Sequence, residues 1–283
     1  MKKIFVVLCF FLTLSAFAQD VPDSLLKEGW NMSGVVGLNL SQTSFSNWAQ
    51  GGTNALAFSV YTNLGGLYYS FPWKWKNRLN AIYGRTSLQD LGYRTTENDL
   101  YFESVGSRNI GWSVDPYVAV TFRSALTKGY DYKVEPAVQI VNFFDPGYLT
   151  EAIGFTYDKN KIVTTRIGIA FQETFADKFA AVYTDDPDTP DKTEKFKFET
   201  GLESVTELKY EFLPNMNYYS FLRLFTRFDA LDVWDVRWDN IITAKVNDYI
   251  NVNFAVTVLH DIKQTRKTQL REALQLGFSY SLF

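Results

Sequence analysis

Residues 270–283 read LREALQLGFSYSLF. The even positions are Leu270, Glu272, Leu274, Leu276, Phe278, Tyr280 and Leu282. The odd positions are Arg271, Ala273, Gln275, Gly277, Ser279 and Ser281, and the chain stops on Phe283. Successive side chains of a strand point to opposite faces, so this is a strand with one apolar face and one small, polar face. A tilted strand of about 9–11 residues suffices to cross a bilayer. The stretch therefore predicts the closing strand of a transmembrane β-barrel, which the rest of the chain must complete.

The alternation recurs upstream. In residues 195–212, Phe196, Phe198, Leu202, Leu208, Tyr210 and Phe212 oppose Lys195, Lys197, Glu199, Glu203, Glu207, Lys209 and Glu211. In 233–246, Trp234, Val236, Trp238, Ile242 and Ala244 oppose Asp235, Arg237, Asp239, Thr243 and Lys245. Segments 250–258, 162–176 and 112–126 repeat the pattern, and a period of two over such lengths predicts strands. In 56–71 the apolar phase switches at Gly65-Gly66, which predicts a β-bulge there. Segments 30–41, 75–85, 99–108, 148–157 and 218–228 complete a set of about twelve strands. The last of these is ambiguous, because its arginines share a face with Tyr219, Phe221 and Phe225. Short connections near Pro72 and residues 109–111, 158–161, 213–217 and 247–248 alternate with mostly longer ones at 44–54, 87–98, 128–147, 177–194 and 263–267. That rhythm predicts an all-β, antiparallel up-and-down barrel with short periplasmic turns, longer outer loops and both termini in the periplasm.

The bulk figures agree. Aromatic residues make up 17% of the chain while mean hydropathy is only −0.14, as expected where aromatics face lipid and interfacial girdles rather than a soluble core. No charge occurs between residues 29 and 73, yet polar residues and glycines interrupt the run, so it is no membrane helix. Lys2, Lys3, the apolar run 4–14 and Ala16-Phe17-Ala18 predict a cleaved signal peptide over 1–18. A short periplasmic segment, 19–29, then leads to the barrel, 30–283. Loss of Lys2 and Lys3 takes the formal net charge from −3 to −5. Cys9, the only cysteine, leaves with the signal, which excludes thiol chemistry and cysteine-held metal from the mature chain. An acidic chain without a basic run predicts no nucleic-acid partner.

Two motifs stand apart from the strand rhythm. Residues 45–56 read FSNWAQGGTNAL, with Trp48, Gln50, Gly51 and Gly52 at their centre, and residues 142–151 read NFFDPGYLTE, with Phe143, Asp145 and Pro146. Together with the signal peptide and the strands, these resemble a family of uncharacterised outer-membrane β-barrels of Bacteroidota, of the domain-of-unknown-function 3078 type. The resemblance implies a fold and a location in the outer membrane, and no activity. The C-terminal strand resembles the signal that barrel-assembly machinery reads, with Phe283 as its terminal aromatic, although Phe283 falls on the polar parity.

The inward parity carries the candidate lumen residues: Arg123, Arg166, Lys197, Glu199, Glu203, Glu207, Arg223, Arg227, Asp235, Arg237, Asp239, Lys245 and Arg271. In a barrel of this size such charges must pair or stay hydrated. They predict either a salt-bridged, plugged interior or a narrow hydrated channel. His260, the sole histidine, lies on the apolar parity at the outer rim. An outer-leaflet lipid-modifying enzyme using His260 is the alternative, but a hydrolase needs a serine within reach of the histidine, and Asp261 and Ile262 follow instead. The acidic stretch 185–191 offers oxygen ligands without the glycine and spacing of a calcium loop. The expectation is a non-enzymatic barrel without cofactor or metal, acting as a narrow channel or a structural or interaction component of the envelope. Its expected partners are outer-membrane lipid, the assembly machinery and a small solute or envelope protein.

Overall fold

The computed structural model describes residues 27–44, 54–88, 91–186, 189, 191–262 and 267–283. Five strands come first: β1 (Gly29–Thr43), β2 (Ala55–Ser70), β3 (Trp73–Leu88), β4 (Gly92–Arg108) and β5 (Asp115–Ser124). A small hairpin, β6 (Gly129–Asp131) and β7 (Val138–Val141), precedes β8 (Gly147–Tyr157) and β9 (Val163–Phe175). After the one-turn helix α1 (Ala180–Tyr183) follow β10 (Phe196–Leu213), β11 (Met216–Arg227), β12 (Ala230–Lys245), β13 (Ile250–His260) and β14 (Gln269–Ser281). Twelve of these strands form one closed antiparallel barrel in chain order, from which β6 and β7 stand aside as a separate hairpin. β14 closes it against β1, from Val35 opposite Ser281 to Leu40 opposite Leu276. Closure leaves the barrel sheet without edges, which a span through hydrocarbon requires.

The two-residue alternation sorts the side chains as the sequence predicts. Along β10, Phe196, Phe198 and Leu202 are exposed on the outer wall, while Glu199, Glu203 and Glu207 are buried. On β11 the ambiguous face resolves inward: Phe221 and Phe225 are buried beside Arg223. Trp30, Trp73, Trp75 and Trp112 lie exposed at the short-turn end, and Trp234 and Trp238 toward the other. Two such belts are what the two membrane interfaces select. Phe144 stacks between Phe122 and Phe175, at centroid distances of 5.7 and 5.6 Å, and extends the outer aromatic surface over the β5–β8 connection.

Three local expectations are corrected. The ladders of β2 with β1 and with β3 run without a register shift past Gly65 and Gly66, so no bulge forms there. The phase change instead turns Tyr69 inward, where it is buried. An actual register shift falls in the β3–β4 ladder between Gly84 and Arg85. The connection expected at 87–98 is largely strand, because β3 runs on to Leu88 and β4 begins at Gly92. Finally, the parity of Phe283 does not hold it on the polar face. The ladder ends at Ser281, and the Phe283 ring lies over Gly34 beside Leu64, on the side where Met32 and Val36 are exposed. Two residues outside the ladder are enough to let the ring turn outward.

Glycines shape one part of the wall. Gly154 on β8 and Gly168 on β9 stand directly opposite each other, and Tyr117 on β5 pairs with Gly154. A Cβ on Gly168 would overlap the Ile153 carbonyl oxygen and stand 2.8 Å from the Tyr117 hydroxyl. The two strands thus approach closely, and Tyr117, only 2% exposed, closes over the gap.

Candidate functional site

The charged parity of the strands builds the lumen. β3 contributes Lys74, Lys76 and Arg78 at successive inward positions, and β4 contributes Glu97, Asp99, Tyr101 and Glu103. Glu103, 1% exposed, is the acidic centre. It accepts from Arg78 Nη2 at 3.1 Å, from the Tyr101 hydroxyl at 2.7 Å and from Arg166. Arg78 also contacts Glu207 at 3.0 Å and lies over the rings of Tyr101 and Phe221, 5.3 and 5.2 Å from their centroids. Stacking and pairing through separate N–H groups suit a planar guanidinium, which is weakly hydrated.

Arg78 Nη1 donates to the Tyr219 hydroxyl at 2.9 Å. β3 and β11 are six strands apart in either direction around the barrel, so this bond joins diametrically opposite walls. Arg78 reaches into the lumen from one wall, Tyr219 and Phe221 from the other, and Tyr101 packs edge-on against Phe221 at 6.0 Å. The lumen is therefore crossed at this level by side chains in contact.

The other lumen candidates form satellites of that crossing. Arg223 donates to Glu203 at 2.7 Å and to Gln172 at 3.0 Å; Arg227 reaches Glu199 at 3.1 Å, and Lys197 stands 3.8 Å from Glu199. Arg123 grips Asp99 with two bonds of 2.8 and 2.6 Å. Arg237 donates to Asp239 at 2.7 Å, and Arg271 bonds to Glu97 across from β14 to β4. Asp235 lines a cavity at the long-loop mouth, and Lys245 is exposed at the end of β12. Cavities among the described residues follow the axis. One of about 490 Å³ opens at the short-turn end, one of about 300 Å³ lies in the middle, and one of about 180 Å³ lies at the mouth. Arg78 borders both of the first two. Arg78, Glu103, Tyr101 and Tyr219 are missing from the sequence-derived candidates, although the i, i+2 spacing of Lys74, Lys76 and Arg78 marks one inward face. What spacing cannot carry is the contact across the barrel.

Of the loop motifs, Trp48, Gln50, Gly51 and Gly52 lie outside the described residues. Phe143 stands exposed at the rim rather than inside the lumen. The Asp145 carboxylate accepts from the backbone N–H groups of Asp177 and Lys178, at 2.9 and 3.0 Å, and so pins the β9–β10 connection to the start of β8. The carbonyl of Pro146 accepts from Ser124 Oγ at 3.2 Å. These residues organise the rim. His260 Nδ1 lies 3.1 Å from the Thr268 hydroxyl, and Asp261 and Tyr183 border the same mouth cavity. Among the described residues no cluster of three His, Cys, Asp or Glu could hold a metal ion. The acidic stretch 185–191 is described only in part; there the Thr189 hydroxyl donates to Glu194 at 2.8 Å and, as the largest cause, holds that exposed carboxyl below its usual range.

A closed antiparallel barrel with lipid-facing apolar positions, aromatic belts at both ends and a charged interior defines an outer-membrane β-barrel, and this chain is one. A family model described as "Protein of unknown function (DUF3078)" matches residues 40–130, which include the motif around Trp48 but not the one around Phe143. No curated protein matches the chain. Similar solved structures include the COG4313 outer membrane channel from Pseudomonas putida F1, 11% identical with a TM-score of 0.41, covering 93% of this chain and 98% of that one. The translocator domain of the autotransporter NalP from Neisseria meningitidis is 8% identical with a TM-score of 0.39, covering 91% and 90%. Salmonella typhi OmpF, in complex with daunomycin, is 11% identical with a TM-score of 0.28, covering 89% and 97%.

Proposed function

We propose that this chain resides in the outer membrane as a sealed barrel, a structural or interaction component of the envelope rather than a pore for solutes or an enzyme. The observation that carries the reading is the Arg78–Tyr219 bond between opposite walls. It is backed by ion pairs whose carboxylates, Glu103, Glu203, Glu207 and Glu199, are at most 6% exposed. Buried pairs with this many partners resist opening, because separating one leaves charge uncompensated. The grouping of short turns and both barrel termini at one end supports a periplasmic placement of that end after signal-peptide removal. The position of the Phe283 ring on the outer wall supports its reading as the terminal aromatic of an assembly signal. Planar-bilayer recording of the folded protein is the test: the parent passes no stepwise current, whereas Arg78→Ala/Tyr219→Ala conducts. A steady current through the parent would replace this reading with that of a narrow channel, which the cavities on both sides of the crossing would then serve.

A further inference from the structure

The cavity at the short-turn end has an unbalanced charge. Lys74, Lys76, Arg78, Lys159, Lys161 and Lys209 line it, against two carboxylates, Asp158 and Glu207. Lys74 is engaged with Asp158 at 3.4 Å, and Lys159 with Asp115 at 2.6 Å. Glu207 faces three cations, Arg78 at 3.0 Å, Lys76 at 3.5 Å and Lys209 at 4.0 Å; of these Arg78 is shared with Glu103, which also pairs with Arg166. Two carboxylates, Glu103 and Glu207, cannot neutralise the four cations Arg78, Arg166, Lys76 and Lys209, and low-dielectric walls concentrate the resulting positive potential in the cavity. At about 490 Å³ the cavity is also of a size that holds a small solute.

We propose that this vestibule binds a multivalent oxyanion of the phosphate type, with Lys76 and Lys209 as its main contacts and Glu207 as the internal anion that it competes with. Lys161, on the β8–β9 turn, guards the entrance. A phosphate group suits the site because it accepts several ammonium donors at once. Phosphate oxygens are offered both by a soluble phosphate compound and, with a single charge, by a phospholipid headgroup at the inner leaflet. The site is independent of whether the lumen above it is sealed, since the cavity lies on one side of the crossing.

The test is calorimetric titration of the full folded protein in neutral detergent with inorganic pyrophosphate. Saturable binding that weakens with added salt is expected. Lys76→Gln and Lys209→Gln each lower the affinity roughly tenfold, the scale of one charge-assisted contact. Glu207→Gln, which keeps the shape and removes the competing charge, tightens binding, an outcome that misfolding cannot imitate. Heat-modifiable gel migration verifies that each variant is folded. Repeating the titration in nanodiscs that contain phosphatidylglycerol separates the sources: displacement of pyrophosphate assigns the site to a headgroup, and undiminished binding assigns it to a soluble anion. Absence of binding by the parent, equal affinity of parent and lysine variants, or weaker binding by Glu207→Gln would overturn the proposal.

Discussion

Replacing Glu103 with alanine is the perturbation that the interior responds to most sharply. The carboxylate is 1% exposed and holds two guanidinium groups and one phenol. Each charge-assisted bond contributes about 1.5–3 kcal/mol when measured singly, but shared partners make the sum an overestimate. The larger consequence is what remains: Arg166, 8% exposed, loses its ion-pair partner, and Arg78, 13% exposed, keeps only Glu207 as an ion-pair partner. Breaking a buried pair from one side costs about 3–5 kcal/mol. Glu103→Gln retains an acceptor and the volume, so it should lose less, about 2 kcal/mol, close to one neutral-for-charged exchange. As a reference, the Lys195–Asp177 pair has side chains 69% and 76% exposed, and Asp177→Ala should cost less than about 1 kcal/mol. Denaturant unfolding of barrels refolded into lipid vesicles, followed by tryptophan fluorescence, reads all three. If Glu103→Ala unfolds within about 1 kcal/mol of the parent, the interior is hydrated rather than packed, and the view of Glu103 as its organising charge is wrong.

Other outcomes follow from the wall and the rim. Gly168→Ala must move the β8–β9 backbone or displace Tyr117; it should lower stability by about 1–3 kcal/mol or more and reduce the folded band on unheated gels, with Tyr117→Ala restoring part of the loss. Deletion of Phe283 should reduce the yield of assembled barrel in cells while leaving refolding in detergent unchanged; equal cellular yield would remove its role as a targeting signal. Purified protein should hydrolyse no phospholipid, and His260→Ala should behave identically in the same lipid assay; hydrolysis lost in that variant would establish the enzymatic alternative.

What the sequence determines here is local and periodic. An outward Phe196, Phe198 and Leu202 opposite an inward Glu199 and Glu203 follow from the pleat alone. So does the pairing of residues 30–41 with the last strand, once the ends are matched antiparallel and about twelve strands must close. The switch of phase at Gly65-Gly66 misleads for the same reason: continuity of an apolar face is a local rule, whereas the unbroken ladders on both sides of β2 fix Tyr69 inward. Phe283 lies beyond the ladder and so escapes the parity of β14. The contact between Arg78 and Tyr219 belongs to neither class. Those residues are 141 positions apart, and whether they touch depends on the barrel's radius, which strand number and stagger set together. Inward direction is written in the alternation of residues; only closure of the sheet brings two inward side chains from opposite walls within hydrogen-bonding distance, because reach across a lumen is a property of the whole ring and of no single strand.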